Sequence, residues 1–560
     1  ESPFVCLHTE AWRVFLLPMK QAFLTALVCS TVFTLGAPLK IKELRTESAT
    51  NPIGVSNSPR LSWKLNSNER GNFQSAYEIL AATNQEKLND KTADLWATKK
   101  QQGAAKLLVS WQGKPLKNGQ KVHWKVRVWD KQDQPSDWSS IATFVVGKQA
   151  KLVKPNRISG FESSSEKINK LYTQSITSLE KRLTAFTDGD VTALGDGSAV
   201  HRSARAFLYH FDSIPHLTEW LRLMDSGITK DNFFPIHPGA QTTAPVSSDS
   251  GVLVTHPLWW MSGDAQPTRS RWNAYEGHII AREAQDTLLK GTRWGGIADS
   301  ENVSAEFIDL CYLGFSCRLI LELALPAVQP QKAIRFQVYA SRIRKSFERQ
   351  FVNTDGSLKS TSQTGHVLAL RSAVLNPQQK AKVLTDLIAL VAKNGSKVGP
   401  IGAHFLPGVL SLTGNQDLAL KALTDLNAEE QKTYAESGVA EWLMAFVAGI
   451  DTIAPGFNQA IIAPRIPSDD SLTWVKAYHD SPTGKISVHW QKLSSDSALT
   501  AEIVIPAGTL SRVILPIREN QKITESGDTI ADAEGVEIIE RKDGKVSLIT
   551  QSGKYSFLIK

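Results

Sequence analysis

Cysteine and methionine are scarce in this chain, with four of each among 560 residues. Two of the cysteines, Cys6 and Cys29, precede residue 38, which leaves Cys311 and Cys317 for the body of the protein. No Cys or His spacing of the zinc-binding kind is present, so neither a structural metal nor a disulfide framework is expected. Cys311 and Cys317 fall in an apolar helical stretch, Phe307–Leu321, where a six-residue offset separates them by about 9 Å along the axis, too far for a bond. They read as small buried hydrophobes. Apolar runs are short as well, and none is a comfortable membrane span. Lys and Arg outnumber Asp and Glu by 63 to 55, a net charge of +8. The tightest basic group, Arg342, Arg344, Lys345 and Arg349, lies on one helical face without interleaved aromatics, which argues against a nucleic-acid partner. The basic surface reads as solvated, with an anionic polysaccharide as the alternative partner. No repeat of 20–50 residues marks a solenoid.

The N-terminus carries the localisation signal. Met19-Lys20 opens an apolar run from Ala22 to Leu35 that ends in Gly36-Ala37, the layout of a secretory signal peptide. Residues 1–18 read as a non-native upstream extension and 19–37 as the signal peptide, so the product is expected to be secreted or periplasmic.

At this length several domains are expected. Residues 38–148 read as an antiparallel sandwich of fibronectin or immunoglobulin type. The stretch Lys121–Val128 alternates strictly, placing Val122, Trp124, Val126 and Val128 on one face. A linker, 149–160, follows. From Ser163 the period becomes helical: Ser163-Ser164-Ser165-Glu166 offers a capping box ahead of a stripe formed by Ile168, Leu171, Tyr172, Ile176 and Leu179. Further helices are expected over 199–224, 271–290, 304–327, 331–351, 362–374, 378–393, 405–413, 415–426 and 437–449. Helices joined by short loops across 161–455 suggest stacked hairpins closing into an α/α toroid of six-hairpin type. Residues 456–560 return to strands, around 472–478, 485–490, 501–506 and 545–549, and read as a C-terminal β-sandwich.

Particular residues narrow this layout. Asn51-Pro52-Ile53-Gly54, Pro59-Arg60-Leu61-Ser62-Trp63, Ala76–Ile79, Asp94-Leu95-Trp96 and His123–Asp130 resemble the first domain of bacterial α-L-rhamnosidases, glycoside hydrolase family 78. Leu194–Gly197, Asn232–Gly239, Gly438–Trp442 and Gly553–Phe557 continue the resemblance through the toroid and final sandwich. It implies inverting removal of terminal α-L-rhamnose from glycans, a rhamnose-containing oligo- or polysaccharide as partner, and no cofactor. It also has gaps. Only the short linker stands where family members carry another β domain. The family's Asp-Cys-Pro-x-Arg-acid-acid-Leu-Gly-Trp-x-Gly-Asp motif is shortened to Thr187-Asp188 and Leu194-Gly195-Asp196, with Asp190 the one acid able to stand in for the proton donor. The Trp-Glu segment that supplies the base is missing between Leu426 and Gly438, leaving Glu429, Glu430 and Glu436.

Inverting hydrolysis needs a carboxylic acid to protonate the leaving oxygen and a carboxylate to activate water, roughly 6.5–9.5 Å apart. The catalytic candidates are therefore Asp190, Asp188 and Asp196, each of which could instead be a helix cap. Asp249 matches a family acid before an apolar helix and suits capping or sugar binding. Trp259 and Trp260 could floor a sugar subsite, although core packing is the commoner fate of such a pair. Glu441 reads as structural. Two readings stay open: a rhamnosidase-like hydrolase, or a catalytically impaired carbohydrate-binding relative or truncated gene product.

Overall fold

The computed structural model describes residues 39–148, 151–285, 303–493 and 498–560. The expected upstream extension, 1–18, and signal peptide, 19–37, lie outside them. Strands β1 (Lys40–Thr46), β2 (Ile53–Val55), β3 (Arg60–Asn66), β4 (Ala76–Ala82), β5 (Trp96–Ala97), β6 (Gln101–Gln102), β7 (Val109–Ser110), β8 (Lys121–Trp129) and β9 (Ala142–Val146) form the N-terminal sandwich. One sheet runs β1-β3-β7 and the other β2-β9-β8-β4-β5, with β6 also on β4. The alternation in β8 does what its period dictates: Val122, Trp124, Val126 and Val128 have no exposed surface and fill the space between the sheets.

The expected linker ends in structure. β10 (Ser159–Ser163) leaves the first sandwich behind and pairs antiparallel with β13 (Trp474–Ser481), more than 300 residues later, Phe161 opposite Ala477. It becomes the edge of the sheet β10-β13-β14-β15-β21-β17-β18, with β14 at Gly484–Lys492, β15 at Leu499–Ile505, β17 at Ile523–Glu525, β18 at Asp528–Thr529 and β21 at Gly553–Ile559. A second sheet, β11-β12-β16-β20-β19 (Ile450–Thr452, Gln459–Ile462, Leu510–Pro516, Lys545–Thr550 and Val536–Lys542), completes the C-terminal sandwich.

Between the sandwiches, helices α1 (Glu166–Thr187), α2 (Gly197–His210), α3 (Ile214–Ser226), α4 (Ser250–Leu253), α5 (Thr255–Ser262), α6 (Gln266–Ser270), α7 (Trp272–Gln285), α8 (Ala305–Ala324), α9 (Ala333–Phe351), α10 (Gln363–Arg371), α11 (Pro377–Asn394), α12 (Pro400–Leu412), α13 (Gln416–Thr424), α14 (Ala428–Glu436) and α15 (Val439–Trp442) follow one another. Inner helices α2, α4–α5, α8, α10, α12 and α15 pack in that order, and α15 returns to α2 to close the ring. The amphipathic α1, α3, α9, α11 and α13 lie outside it; α1 buries the stripe Ile168, Leu171, Tyr172, Ile176 and Leu179 against the ring. Its cap is Ser165, whose side chain accepts from Ile168 N; Glu166 is the first helical residue rather than the third, so the expected capping box does not form.

The expected helix 199–224 is two helices. Phe211 adopts an extended conformation and Pro215 lies at the start of α3, so the chain turns from inner to outer layer there. α6 and α14 were not among the expected helices, and α4–α5 was anticipated only as an apolar helix after Asp249. α5 is buried on every side, and a helix without a polar face shows no 3.6-residue period. Among the described residues, four ion pairs dock the first sandwich on the rest: Arg45 on Asp212 at 2.6 Å, Arg60 on Asp264, Lys64 on Asp480 at 3.0 Å and Arg70 on Glu525 at 2.7 Å.

Candidate active site

The inner helices share a direction, and their N-termini assemble one rim. Asp196 caps α2, its Oδ1 accepting from Ala199 N at 2.8 Å, while its Oδ2 accepts from Ser247 Oγ at 3.0 Å, just ahead of α4. Arg282 bridges Asp249, at the start of α4, to Asp309 in the first turns of α8. A Cβ on Gly365 of α10 would contact the Phe307 ring of α8, and one on Gly402 of α12 would press on Thr364 of α10. His404 Nδ1 meets the Ser437 carbonyl at 3.1 Å, and Gly438, ahead of α15, lies against the Arg202 carbonyl of α2. Gly438 sits at φ 82°. No side chain fits where its Cβ would be, so glycine closes the ring.

Below the rim the axis is plugged. α2, α8 and α12 are not neighbours in the ring, yet the His201 ring lies 5.9 Å from Tyr312 and 5.8 Å from His404, and Phe315 lies 6.1 Å from Phe405. Side chains from alternate inner helices thus meet at the centre, and the toroid is a cup rather than a pore. Burial, aided by the charges of Arg202 and Arg371, lowers the His201 pKa to about 3. Burial beside His201 and Arg202 likewise holds His404 neutral. Burial pushes the Tyr312 phenol upward. At neutral pH the floor of the cup is therefore uncharged imidazole and phenol, with the Arg202 guanidinium beside them.

Several of these groups are unsatisfied. Tyr312 Oη, Arg202 Nε and Ser316 Oγ are buried without a hydrogen bond, while the His201 ring faces the Leu253 backbone. Buried polar atoms without partners are rare, and several converging at one place mark a position where water or ligand hydroxyls complete the set. Arg202 reaches back one turn to Ser198 Oγ, toward the rim. The cup thus offers donors and acceptors suited to a polyol.

The carboxylates weighed from the sequence scatter around this rim. Asp188 ends α1 and is exposed. Asp190 is exposed on the α1–α2 loop, where its Oδ1 accepts from Thr192 Oγ1 at 2.7 Å and Thr192 N at 3.0 Å. Those bonds hold its carboxyl below the usual range, the opposite of what a proton donor needs. Asp196 is exposed on the rim itself. Asp249 has no exposed surface. Its Oδ1 accepts from His278 Nε2 at 2.8 Å and its Oδ2 from Val246 N at 3.3 Å. Burial alone would raise its pKa, but Arg282 and the His278 bond outweigh that and lower it to about 2. Of these acids, the fold brings together Asp196 and Asp249, at the starts of adjacent inner helices.

Trp259 and Trp260 are buried in α5, edge to face at 5.4 Å, with His256 stacked on Trp260. Glu441 faces Arg205 at 3.3 Å; burial raises its pKa, with Arg205 opposing and Asp451 adding to the shift. Glu430 belongs to the Asn427 capping box of α14 and pairs with Lys397 at 2.9 Å. Among the described residues no group of three or more His, Cys, Asp or Glu could hold a metal ion. Cys311 and Cys317 are free and buried, as their helical spacing required. His201, Arg202, Tyr312 and His404 escaped the sequence reading; the available signal was three polar aromatic residues inside otherwise apolar inner helices.

Three family models match the chain. Residues 41–150 match the Rha78A-like N-terminal immunoglobulin domain, 156–439 the bacterial alpha-L-rhamnosidase six-hairpin glycosidase domain, and 449–529 the bacterial alpha-L-rhamnosidase C-terminal domain. An alpha-L-rhamnosidase of Streptomyces avermitilis is 27% identical over 403 residues, covering 63% of this chain and 37% of that protein. One of Formosa agariphila is 36% identical over 295 residues, 46% of this chain and 31% of that protein. The chain thus spans about a third of the length of these curated relatives. Among solved structures, the alpha-L-rhamnosidase of Dictyoglumus thermophilum superposes with a TM-score of 0.82 at 13% identity, covering 93% of this chain and 99% of that one. The Streptomyces avermitilis enzyme complexed with L-rhamnose gives 0.80 at 13% identity, covering 93% and 100%. At that identity the likeness is one of fold.

Proposed function

Since this chain belongs to the bacterial α-L-rhamnosidase family, as the match of its six-hairpin domain over 156–439 shows, we propose that it acts on terminal α-L-rhamnose of glycans or glycosides as an inverting glycoside hydrolase. The observation that carries the reading is the cup: a rim of six inner-helix N-termini above a floor where Tyr312 Oη and Arg202 Nε lack partners beside His201. A rhamnose bound there would complete those hydrogen bonds. Asp196 is the weighed acid that is both exposed and on the rim, next to Ser247 Oγ, and it suits the carboxylate that activates water.

A second reading, sugar binding without turnover, is favoured by one feature. Asp190, the candidate for the proton donor, has its carboxyl held below the usual range by Thr192, and Asp249 is sealed from solvent. The test is hydrolysis of an aryl α-L-rhamnoside beside calorimetric binding of L-rhamnose, with Asp196→Asn in parallel. Asparagine caps a helix as well as aspartate does, so the variant isolates the chemistry. Turnover that falls 10²-fold or more in the variant supports hydrolysis through Asp196. Binding without turnover selects the second reading, and neither binding nor turnover overturns both.

Export belongs to the same proposal. The run Met19–Ala37 supports cleavage near Ala37–Leu39, and N-terminal sequencing of the expressed product that finds residues 1–18 intact would overturn it. No described helix is long and apolar enough to cross a membrane. The basic balance supports an acidic glycan as partner.

A further inference from the structure

Beside the cup, the same rim carries a cavity of about 540 Å³ between α8, α9, α10 and α11. That lies within the roughly 300–1,000 Å³ typical of small-molecule sites. Its lining has a consistent chemistry. Phe307 and Phe351, 5.1 Å apart and edge to face, form an apolar wall. Ser304, Ser360, Thr361, Ser362 and Asn394 supply hydroxyls and an amide, and Lys359 supplies charge, while Lys397 is paired with Glu430 and the Gln363 amide is bonded to the Leu390 and Gly395 carbonyls and Lys397 N. Among the described residues no carboxylate lines the cavity.

The field in the cavity is positive for two further reasons. It opens on the N-termini of two inner helices, α8 and α10, capped by Ser304 and Ser362, whose first amides carry the positive end of the helix dipole. Lys359 Nζ bonds only the Arg349 and Gln350 carbonyls, at 3.3 and 2.9 Å, so its charge has no carboxylate partner among the described residues. The acids nearby do not cancel this. Glu430 is taken up by Lys397, and Glu306, in the first turn of α8, is not part of the lining.

An aromatic wall, a polar rim of hydroxyls and an amide, and an uncompensated ammonium are the elements that recognise a sugar bearing an anion. We propose that this cavity is a binding site for an acidic sugar residue, separate from the cup. The acid group, a carboxylate or a sulfate ester, pairs with Lys359 and the helix ends. The C–H face of the ring packs on Phe351 and Phe307. This site does not require the chain to hydrolyse rhamnosides, and it supplies a specific place for the anionic partner that the net charge of +8 only suggests.

The experiment measures binding of D-glucuronate, glucose 6-sulfate and neutral D-glucose to the full chain by saturation-transfer NMR or calorimetry, at low and high salt, with L-rhamnose as the probe of the cup. Lys359 and Thr361 are both exposed, so Lys359→Gln and Thr361→Trp leave the core untouched. One or both acidic sugars should bind at least about tenfold tighter than glucose, and salt should erase the preference. Glucuronate alone would identify a carboxylate, and glucose 6-sulfate alone a sulfate ester. Lys359→Gln should remove the preference, and Thr361→Trp should block the acidic sugars while leaving L-rhamnose binding at the wild-type level. Acidic sugars that bind no better than glucose, or a preference that survives both substitutions, would overturn the proposal. Loss of L-rhamnose binding alone leaves it standing and bears on the cup.

Discussion

Replacing Asp249 by asparagine separates two roles that its position allows, sugar ligand and internal strut. The structure favours the strut: no surface is exposed, and His278, Arg282 and the Val246 amide surround the carboxylate. Its pKa is lowered from 3.8 to about 2. At 1.36 kcal/mol per unit, that shift corresponds to about 2 kcal/mol of stability, with no discount for solvent because the group is buried. Breaking a buried pair typically costs about 3–5 kcal/mol, since the stranded partner stays charged. Here Arg282 retains Asp309, and removing the Asp249 charge relieves a repulsion that, after burial, helps raise the Asp309 pKa. A net loss of about 2–4 kcal/mol is therefore expected, a fall of roughly 3–7 °C in melting temperature for a domain of this size. The assay is a thermal melt of both proteins at pH 7 and near pH 3. Because the folded pKa is depressed, the contribution is complete above the unfolded value of 3.8 and disappears as pH falls toward 2. The two melting curves should therefore converge in acid. An Asp249→Asn protein that melts with the wild type at pH 7 but no longer binds L-rhamnose would refute the reasoning and make Asp249 a sugar ligand.

Other substitutions test the neighbouring claims. Asp190→Asn should change turnover of an aryl α-L-rhamnoside less than about twofold, because the side chain only closes its own turn on Thr192; a 10²-fold loss would restore it as proton donor. Gly438→Ala should destabilise by more than about 1 kcal/mol in urea unfolding, since φ 82° is strained for alanine and the new methyl meets the Arg202 carbonyl. Cys311 and Cys317 should resist thiol reagents until the chain unfolds; burial pushes the Cys311 thiol up to about 12 and raises Cys317 as well. Labelling of either in the native protein at pH 8 would contradict that packing.

The two sandwiches were the more legible half of the chain because one face of each strand meets solvent. Period two then appears directly in the residues, as it does in β8. The outer helices were legible for the same reason, and α1 shows its buried stripe in sequence. The inner α5 is apolar all round and left no period to read, and α2 and α3 merged until the break at Phe211–Pro215 was seen in space. β10 was divided between the linker and the start of the toroid because its partner strand lies some 300 residues away, and no local pattern announces such a pairing. The site was harder still. Asp196 and Asp249 could be singled out as acids ahead of helices, but the sequence does not show that one stays in water while the other is sealed by His278 and Arg282. His201, Tyr312 and His404 converge only because three non-adjacent helices aim them at one axis.

The pairing of β10 with β13 has a consequence for how this chain comes into being. On the ribosome, Ser159–Ser163 emerges more than 300 residues ahead of the strand that it will flank, so the last sandwich cannot complete its sheet without a segment made long before. Helix-rich hairpins of the toroid can close locally in the meantime, while β10 waits with its amides unpaired. An excised C-terminal sandwich would in turn present β13 as a bare edge, open to any passing strand. Preparations of that fragment should therefore aggregate unless a peptide spanning 157–164 is supplied. A boundary drawn where the helices end would divide a single sheet between two products.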